Sequence, residues 1–256
     1  MERALLEDST RQRRALRLLG VWAHPDDEAY LSAGFMARVV DAGGSVVCVH
    51  ATDGEHGTDD PATWPPDRLA ATRRCELRAS LAAVGVTDLR LLALPDGGLD
   101  GVDQAAAVDA VDDMVREVEP DIVVTFGPDG MTGHPDHRAV SRWATEAWSR
   151  AGRPCELLYA TTTDAFVDRN RDLYQRHQLV LEPGLPQRTP TEQVALDLAL
   201  SARELDRKLV ALHAHASQTR PLVELLGEDG YRQWVDHESF RHPTAVEVDT
   251  VVRGAA

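Results

Sequence analysis

Short, wholly apolar runs alternate along this chain with longer segments of helical period. That alternation restricts the fold to a mostly parallel sheet covered by helices. The run Ser45–Ala51 (SVVCVHA) reads as apolar on both faces, as a strand buried between two helical layers must be. Leu16–Ala23 reads as the strand before it, and a helix from about Glu28 to Ala42 joins the two, ended by Gly43 and Gly44. A polar, proline-containing loop then runs from Thr52 to Asp67. Arg68–Val84 reads as a helix, Asp88–Leu94 as a strand, Gln104–Val118 as a helix and Asp121–Phe126 as a strand. A helix from about His137 to Ala151 and a strand over Glu156–Thr161 complete a Rossmann-like half. Val194–His215 reads as one further helix, with Leu196, Leu200, Leu205, Leu209 and Leu212 near one face. The expectation is an α/β, Rossmann-like three-layer domain with a mostly parallel sheet and helices on both faces.

Charge narrows the partners. With 42 acidic and 27 basic residues the net charge is −15, which argues against nucleic acid or anionic membrane. No apolar run approaches the length of a membrane span, and the N-terminal MERALLEDSTRQRR is too charged for a signal sequence. Three cysteines, Cys48, Cys75 and Cys155, are odd in number and form no C-x-x-C pair. Free thiols in a reducing, cytoplasmic compartment are therefore expected. Nothing in the sequence pattern encodes an oligomeric state.

Two polar clusters stand at strand ends, where open α/β sheets place their ligands. Ala23-His24-Pro25-Asp26-Asp27-Glu28 follows the first strand, and Gly133-His134-Pro135-Asp136-His137 follows the fourth. One aspartate in either cluster is explained as a helix cap. Two aspartates, a glutamate and a histidine after a buried strand exceed what capping needs, and the same His-Pro-Asp recurs at the second strand end. Adjacent parallel strands would bring the clusters face to face. Imidazole and carboxylate are the ligands zinc takes where no thiolate is offered, and a catalytic zinc keeps three of them. His24, Asp27 and His137 supply such a set, leaving Asp26 and His134 to act on a substrate. Fe2+, Co2+ or Mn2+ would suit the same ligands.

The A-H-P-D-D-E start, the H-P-D-H loop and the strand–helix order resemble the PIG-L/LmbE-like deacetylase family, over about residues 16–160 and again over Lys208–Gln218. That family includes the N-acetylglucosaminyl deacetylases of mycothiol, bacillithiol and GPI-anchor biosynthesis. The resemblance implies a single domain over residues 1–256, with its core at about 16–160 and a helical, variable part at about 161–256. It implies zinc on His24, Asp27 and His137, and Asp26 as the general base. His134 would steady the oxyanion and protonate the departing amine, and Asp136 would orient a neighbouring histidine. Glu28 is equally a first-turn helix residue or a catalytic one. The implied reaction is hydrolysis of an N-acetyl group on a small amino-sugar substrate.

Four more residues match the family as substrate contacts: Arg73, Asp53 in T-D-G-E, Asp96 in L-P-D-G-G, and His215 in the Lys208–Gln218 segment. Three of them have an ordinary explanation as well: a solvated basic face for Arg73, a D-G turn for Asp96, helix packing for His215. His213, His237 and His242 match no role. Rival readings are a zinc amidase acting on a thiol conjugate, an esterase, and a non-enzymatic Rossmann-like binding module. No G-x-G-x-x-G follows the first strand, which disfavours dinucleotide binding. A glucosaminyl-inositol, a glycopeptide sugar and a chito-oligomer remain open as substrates, and residues 162–190 carry no motif.

Overall fold

Strands β1 (Arg17–Trp22), β2 (Ser45–Thr52), β3 (Asp88–Leu94), β4 (Ile122–Phe126) and β5 (Glu156–Thr163) pair in parallel, and all but β3 are almost wholly buried. In this computed structural model, residues 15–173, 184 and 186–254 are described. Two further strands, β7 (Val194–Ala199) and β8 (His237–Arg241), extend the sheet, β8 lying antiparallel to both β5 and β7. The strand order is β3-β2-β1-β4-β5-β8-β7, with the short β6 (Arg188–Thr189) pairing with β5 off that path.

After β1 the chain winds outward through β2 and β3, then returns to lay β4 on the other side of β1. The crevice beyond the carboxyl ends of β1 and β4 is the switch point, where ligands bind in such sheets. Helices α1 (Asp27–Asp41), α2 (Pro66–Ala83) and α7 (Ala202–Ala214) pack together. A second group is formed by α3 (Gln104–Val118), α5 (Pro135–Arg150) and α9 (Ala245–Gly254). The short α4 (Gly130–Gly133) and α6 (Asp164–Arg169) follow β4 and β5, and α8 (Ala216–Trp234) continues from α7. Among the described residues no helix is long and apolar enough to cross a membrane.

Most elements match the expectation to within two residues, and two readings are corrected. Val194–His215 is not one helix: Val194–Ala199 forms β7, and the helix begins only at Ala202. Ser201 caps it, accepting from the Glu204 backbone while the Glu204 carboxylate accepts from Ser201 N. From Leu196 to Ala199 buried and exposed positions alternate, so Leu196 fills the core from a strand. The apolar reading of β2 also fails at His50, which is fully buried and hydrogen-bonded to Glu28. Of the cysteines, Cys48 is buried, Cys155 half-buried and Cys75 exposed, and all three are free.

One ion pair crosses the interior. Lys208 on α7 is fully buried and donates to Glu238 Oε1 (2.8 Å) and to the Tyr30 carbonyl (2.7 Å). Glu238 on β8 also accepts from the backbone N–H groups of Gly34 and Phe35, each at 2.8 Å. A buried pair with its lone pairs filled ties α1, α7 and β8 together. Lys208→Met should therefore lower unfolding free energy in urea by about 3–5 kcal/mol, because it strands the Glu238 carboxylate. A loss within the error of the measurement would refute that role.

Candidate metal centre and active site

The two His-Pro-Asp clusters meet at the switch point. His24 sits just past β1, and Asp27 opens α1. His134 is the N-cap of α5 and His137 lies in its first turn. His24 Nδ1 is 3.1 Å from His137 Nε2 and 3.6 Å from Asp27 Oδ2, while His137 Nε2 is 3.3 Å from Asp27 Oδ1. A tetrahedral ion roughly 2.0–2.2 Å from each donor would separate them by about 3.3 Å, so the triangle has the right size. His24 also converges with His134 and His137, and separately with Asp96 and Asp136.

Hydrogen bonds on the far ring nitrogens decide which atoms face inward. His137 Nδ1 lies 2.9 Å from the Gly130 carbonyl, which can only accept, so that nitrogen carries the proton and Nε2 keeps a free lone pair. His24 Nε2 lies 3.2 Å from Asp136 Oδ2 and 3.1 Å from Asp96 Oδ1, which assigns the proton there and turns Nδ1 inward. Two ring nitrogens with inward lone pairs at 3.1 Å need a proton or a cation between them. The chemistry of this donor set fits a metal cofactor.

The supports of these ligands are themselves fixed. Asp136 accepts from the backbone N–H groups of Gly97 (2.7 Å) and Leu99 (3.1 Å). The His137 ring stacks on Phe126 at 4.2 Å, and Phe126 meets Trp22 edge to face at 5.1 Å. His134 Nδ1 accepts from Asp136 N at 3.1 Å, which leaves the ring proton on Nε2. Electrostatics separate the neighbouring carboxylates. Burial pushes Asp26 up to about 6 against the pull of Arg73. For Asp27, burial is outweighed by His137 and His24, which draw it down to about 2. Burial holds His137 down at about 4, whereas for His24 the Asp136, Asp27 and Asp96 carboxylates overcome burial and raise the imidazole well above its ordinary value.

Asp26 occupies the N-cap of α1 with φ 119°, a conformation unusual for a residue with a side chain. Its backbone N–H donates to Glu28 Oε2 at 3.0 Å, and Arg73 Nη2 lies 3.3 Å from its Oδ2. Arg73 is buried rather than on a solvated face, and it also donates to the Pro25 and Gly54 carbonyls. It passes so close to Gly54, at φ 67°, that a Cβ there would lie 2.2 Å from Nη1. Glu28 is fully buried and accepts from Ser80 Oγ (2.7 Å), His215 Nε2 (2.8 Å) and His50 Nε2 (3.1 Å). It is a structural hub, not merely a first-turn residue.

A cavity of about 520 Å3 opens on this centre, lined by His24, Asp26, Asp27, His134, His137, Arg73 and Asp96 among others. Two expected substrate contacts lie elsewhere. Asp53 is paired with Arg74 at 2.6 Å and is absent from the wall. His215 is fully buried behind Glu28. The wall also carries His56, His237 and Glu238, which the sequence reading left without a role. Their signal is tertiary: His56 donates its backbone N–H to Asp96, and His237 reaches the wall from the antiparallel strand β8.

An α/β sheet with this cluster at its switch point defines the class, a Rossmann-like domain with a candidate metal centre. The family is narrower. The model of PIG-L, GlcNAc-PI de-N-acetylase, matches residues 19–148, and the chain belongs to that family. A 1D-myo-inositol 2-acetamido-2-deoxy-alpha-D-glucopyranoside deacetylase from Rhodococcus erythropolis is 34% identical over 242 residues, covering 80% of this chain and 81% of the relative. Among solved structures, N,N'-diacetylchitobiose deacetylase from Pyrococcus horikoshii superposes with TM-score 0.61 at 23% identity, over 97% of this chain and 91% of that one. GalB, the 4-carboxy-2-hydroxymuconate hydratase from Pseudomonas putida KT2440, superposes with TM-score 0.58 at 15% identity, over 90% and 98%. Those two likenesses are of fold alone, and the hydratase shows how little the fold says about the reaction.

Asp136 touches no inward-facing ligand atom, yet it holds His24 in place. Asp136→Asn should weaken metal binding about 10–100-fold in a chelator competition. Unchanged affinity would remove it from the support of the centre.

Proposed function

We propose that this chain is a zinc-dependent hydrolase that removes the N-acetyl group from a small molecule bearing an N-acetylglucosamine unit. One observation carries the reading: His24 Nδ1, Asp27 and His137 Nε2 converge within 3.1–3.6 Å beside the Asp26 carboxylate. The two imidazoles and the carboxylate match zinc's ligand preference and leave coordination sites for water and substrate. A zinc ion held by His24, Asp27 and His137 would supply Lewis-acid polarisation and make water nucleophilic near neutral pH.

The protein's own groups do the rest. Asp26, pinned by Glu28 and Arg73, takes the proton of the attacking water at its carboxylate. His134 presents its Nε2 proton to the oxygen that gains charge as the carbonyl carbon becomes tetrahedral. As the C–N bond breaks, the proton that Asp26 took from the water passes to the departing nitrogen, and acetate and a free amino sugar leave. Asp136 and Asp96 keep His24 in the tautomer that turns Nδ1 inward. The glucosamine unit is favoured because the matching relative is named for a glucosaminide of inositol and the chain shares its family. An acidic chain with three free cysteines suits a reducing, cytoplasmic setting.

Asp26→Asn should retain one metal per chain while acetate release from an N-acetylglucosaminide falls about 10²–10⁴-fold. Acetate release at the wild-type rate by the metal-loaded variant would eliminate Asp26 as the base. Chelation should abolish activity and added zinc should restore it; activity that survives full chelation would end the zinc reading.

A further inference from the structure

The cavity wall has two chemically different sides. Toward the ends of β2 and β3 it is polar, with His56, Arg73 and Asp96. Toward β5 and β8 it is built from Leu31, Phe166, Pro186, Leu222, Trp234 and Val235. Among the described residues, most polar side chains on this second side already have a protein partner, and the Tyr30 hydroxyl beside Trp234 accepts from Tyr231 at 3.0 Å. Thr161 shares a hydrogen bond with Thr189 (2.6 Å), and Thr162 donates to the Gln187 carbonyl (2.8 Å). Ser239 donates to Asp197 at 2.7 Å, and His237 Nε2 lies 2.9 Å from the same carboxylate. Glu238 is taken up by Lys208 and by the N–H groups of Gly34 and Phe35.

A hydroxyl-rich group seated against this side would give up its water and find few protein partners, a cost incurred at every unmatched hydroxyl. A hydrocarbon or aryl group would instead bury against the wall. We propose that the substrate carries an apolar substituent on its amino-sugar unit, seated against Phe166, Leu222, Trp234 and Val235. The proposal rests on the deacetylase reading above and departs from the fully hydroxylated inositol glucosaminide named for the relative. The substituent's attachment is either the anomeric oxygen or the amide acyl group, and each attachment has its own arm in the test.

The test uses the zinc-loaded protein and two series of compounds. One lengthens the alkyl group of N-acetylglucosaminides from methyl to octyl. The other lengthens the N-acyl chain of methyl glucosaminide from acetyl to octanoyl, and an inositol glucosaminide serves as the polar comparator. The expected result is a rise in kcat/KM of roughly three- to fourfold per methylene over the first few carbons in one series. That series identifies the attachment. Leu222→Gln, with folding checked by its melting temperature, should flatten the slope. No rise in either series, or the inositol compound as the best substrate, would overturn the proposal while leaving the deacetylase reading intact. If no compound released its acyl group, the deacetylase reading would fail. Calorimetry of octyl against methyl glucosaminide would then decide the apolar seat: tighter octyl binding, lost in Leu222→Gln, supports it, and equal binding refutes it.

Discussion

The Glu28 carboxylate lies at zero exposure and collects hydrogen bonds from Ser80 on α2, His50 on β2, His215 between α7 and α8, and the backbone of Asp26. An ionised carboxylate with no partner in such a place would be prohibitively costly. With these donors it holds its charge: burial is outweighed by His215 and His50, which keep it well below its ordinary value. The chain turns from β1 into α1 through Asp26 at φ 119°, a conformation that persists only where its surroundings over-determine it. Glu28 on one side and Arg73 on the other supply that constraint. They aim the Asp26 carboxylate while the next residue, Asp27, faces the histidines.

From this turn follows a division of labour between adjacent carboxylates. Asp26 is half-buried, and desolvation pushes it up against the pull of Arg73, while Asp27 faces two imidazoles and is drawn down. In the proposed mechanism the first would accept a proton near neutral pH and the second would stay ionised, the way neighbouring groups come to take opposite roles. The aromatic chain Trp22–Phe126–His137 joins this electrostatic centre to the packed sheet. Displacement of the His137 ring would require the core to move with it.

The sheet and the two clusters were legible because each is local. A buried parallel strand shows itself in six or seven apolar residues, and His-Pro-Asp at two strand ends is visible as a repeat. The supports were not legible, because their partners are far apart in sequence: Glu28 meets Ser80 across 52 residues and His215 across 187. His50 looked like one polar letter in an apolar strand, although a buried histidine without a visible partner was a signal. Val194–Ala199 was misread because its leucines happen to extend the spacing of the helix beyond it, and the Ser201–Glu204 capping box marks the true start. The apolar side of the cavity draws on α1, α6, α8 and the chain leading into β8, so no contiguous motif announces it.

The account depends on a cation lying between His24, Asp27 and His137. Anomalous diffraction from crystals grown with zinc, recorded on both sides of the zinc absorption edge, tests this directly. The predicted result is one zinc per chain at about 2.0–2.2 Å from His24 Nδ1, an Asp27 oxygen and His137 Nε2. No peak there at saturating zinc, or a peak coordinated by His24, Asp96 and Asp136 instead, would contradict the assignment of the centre.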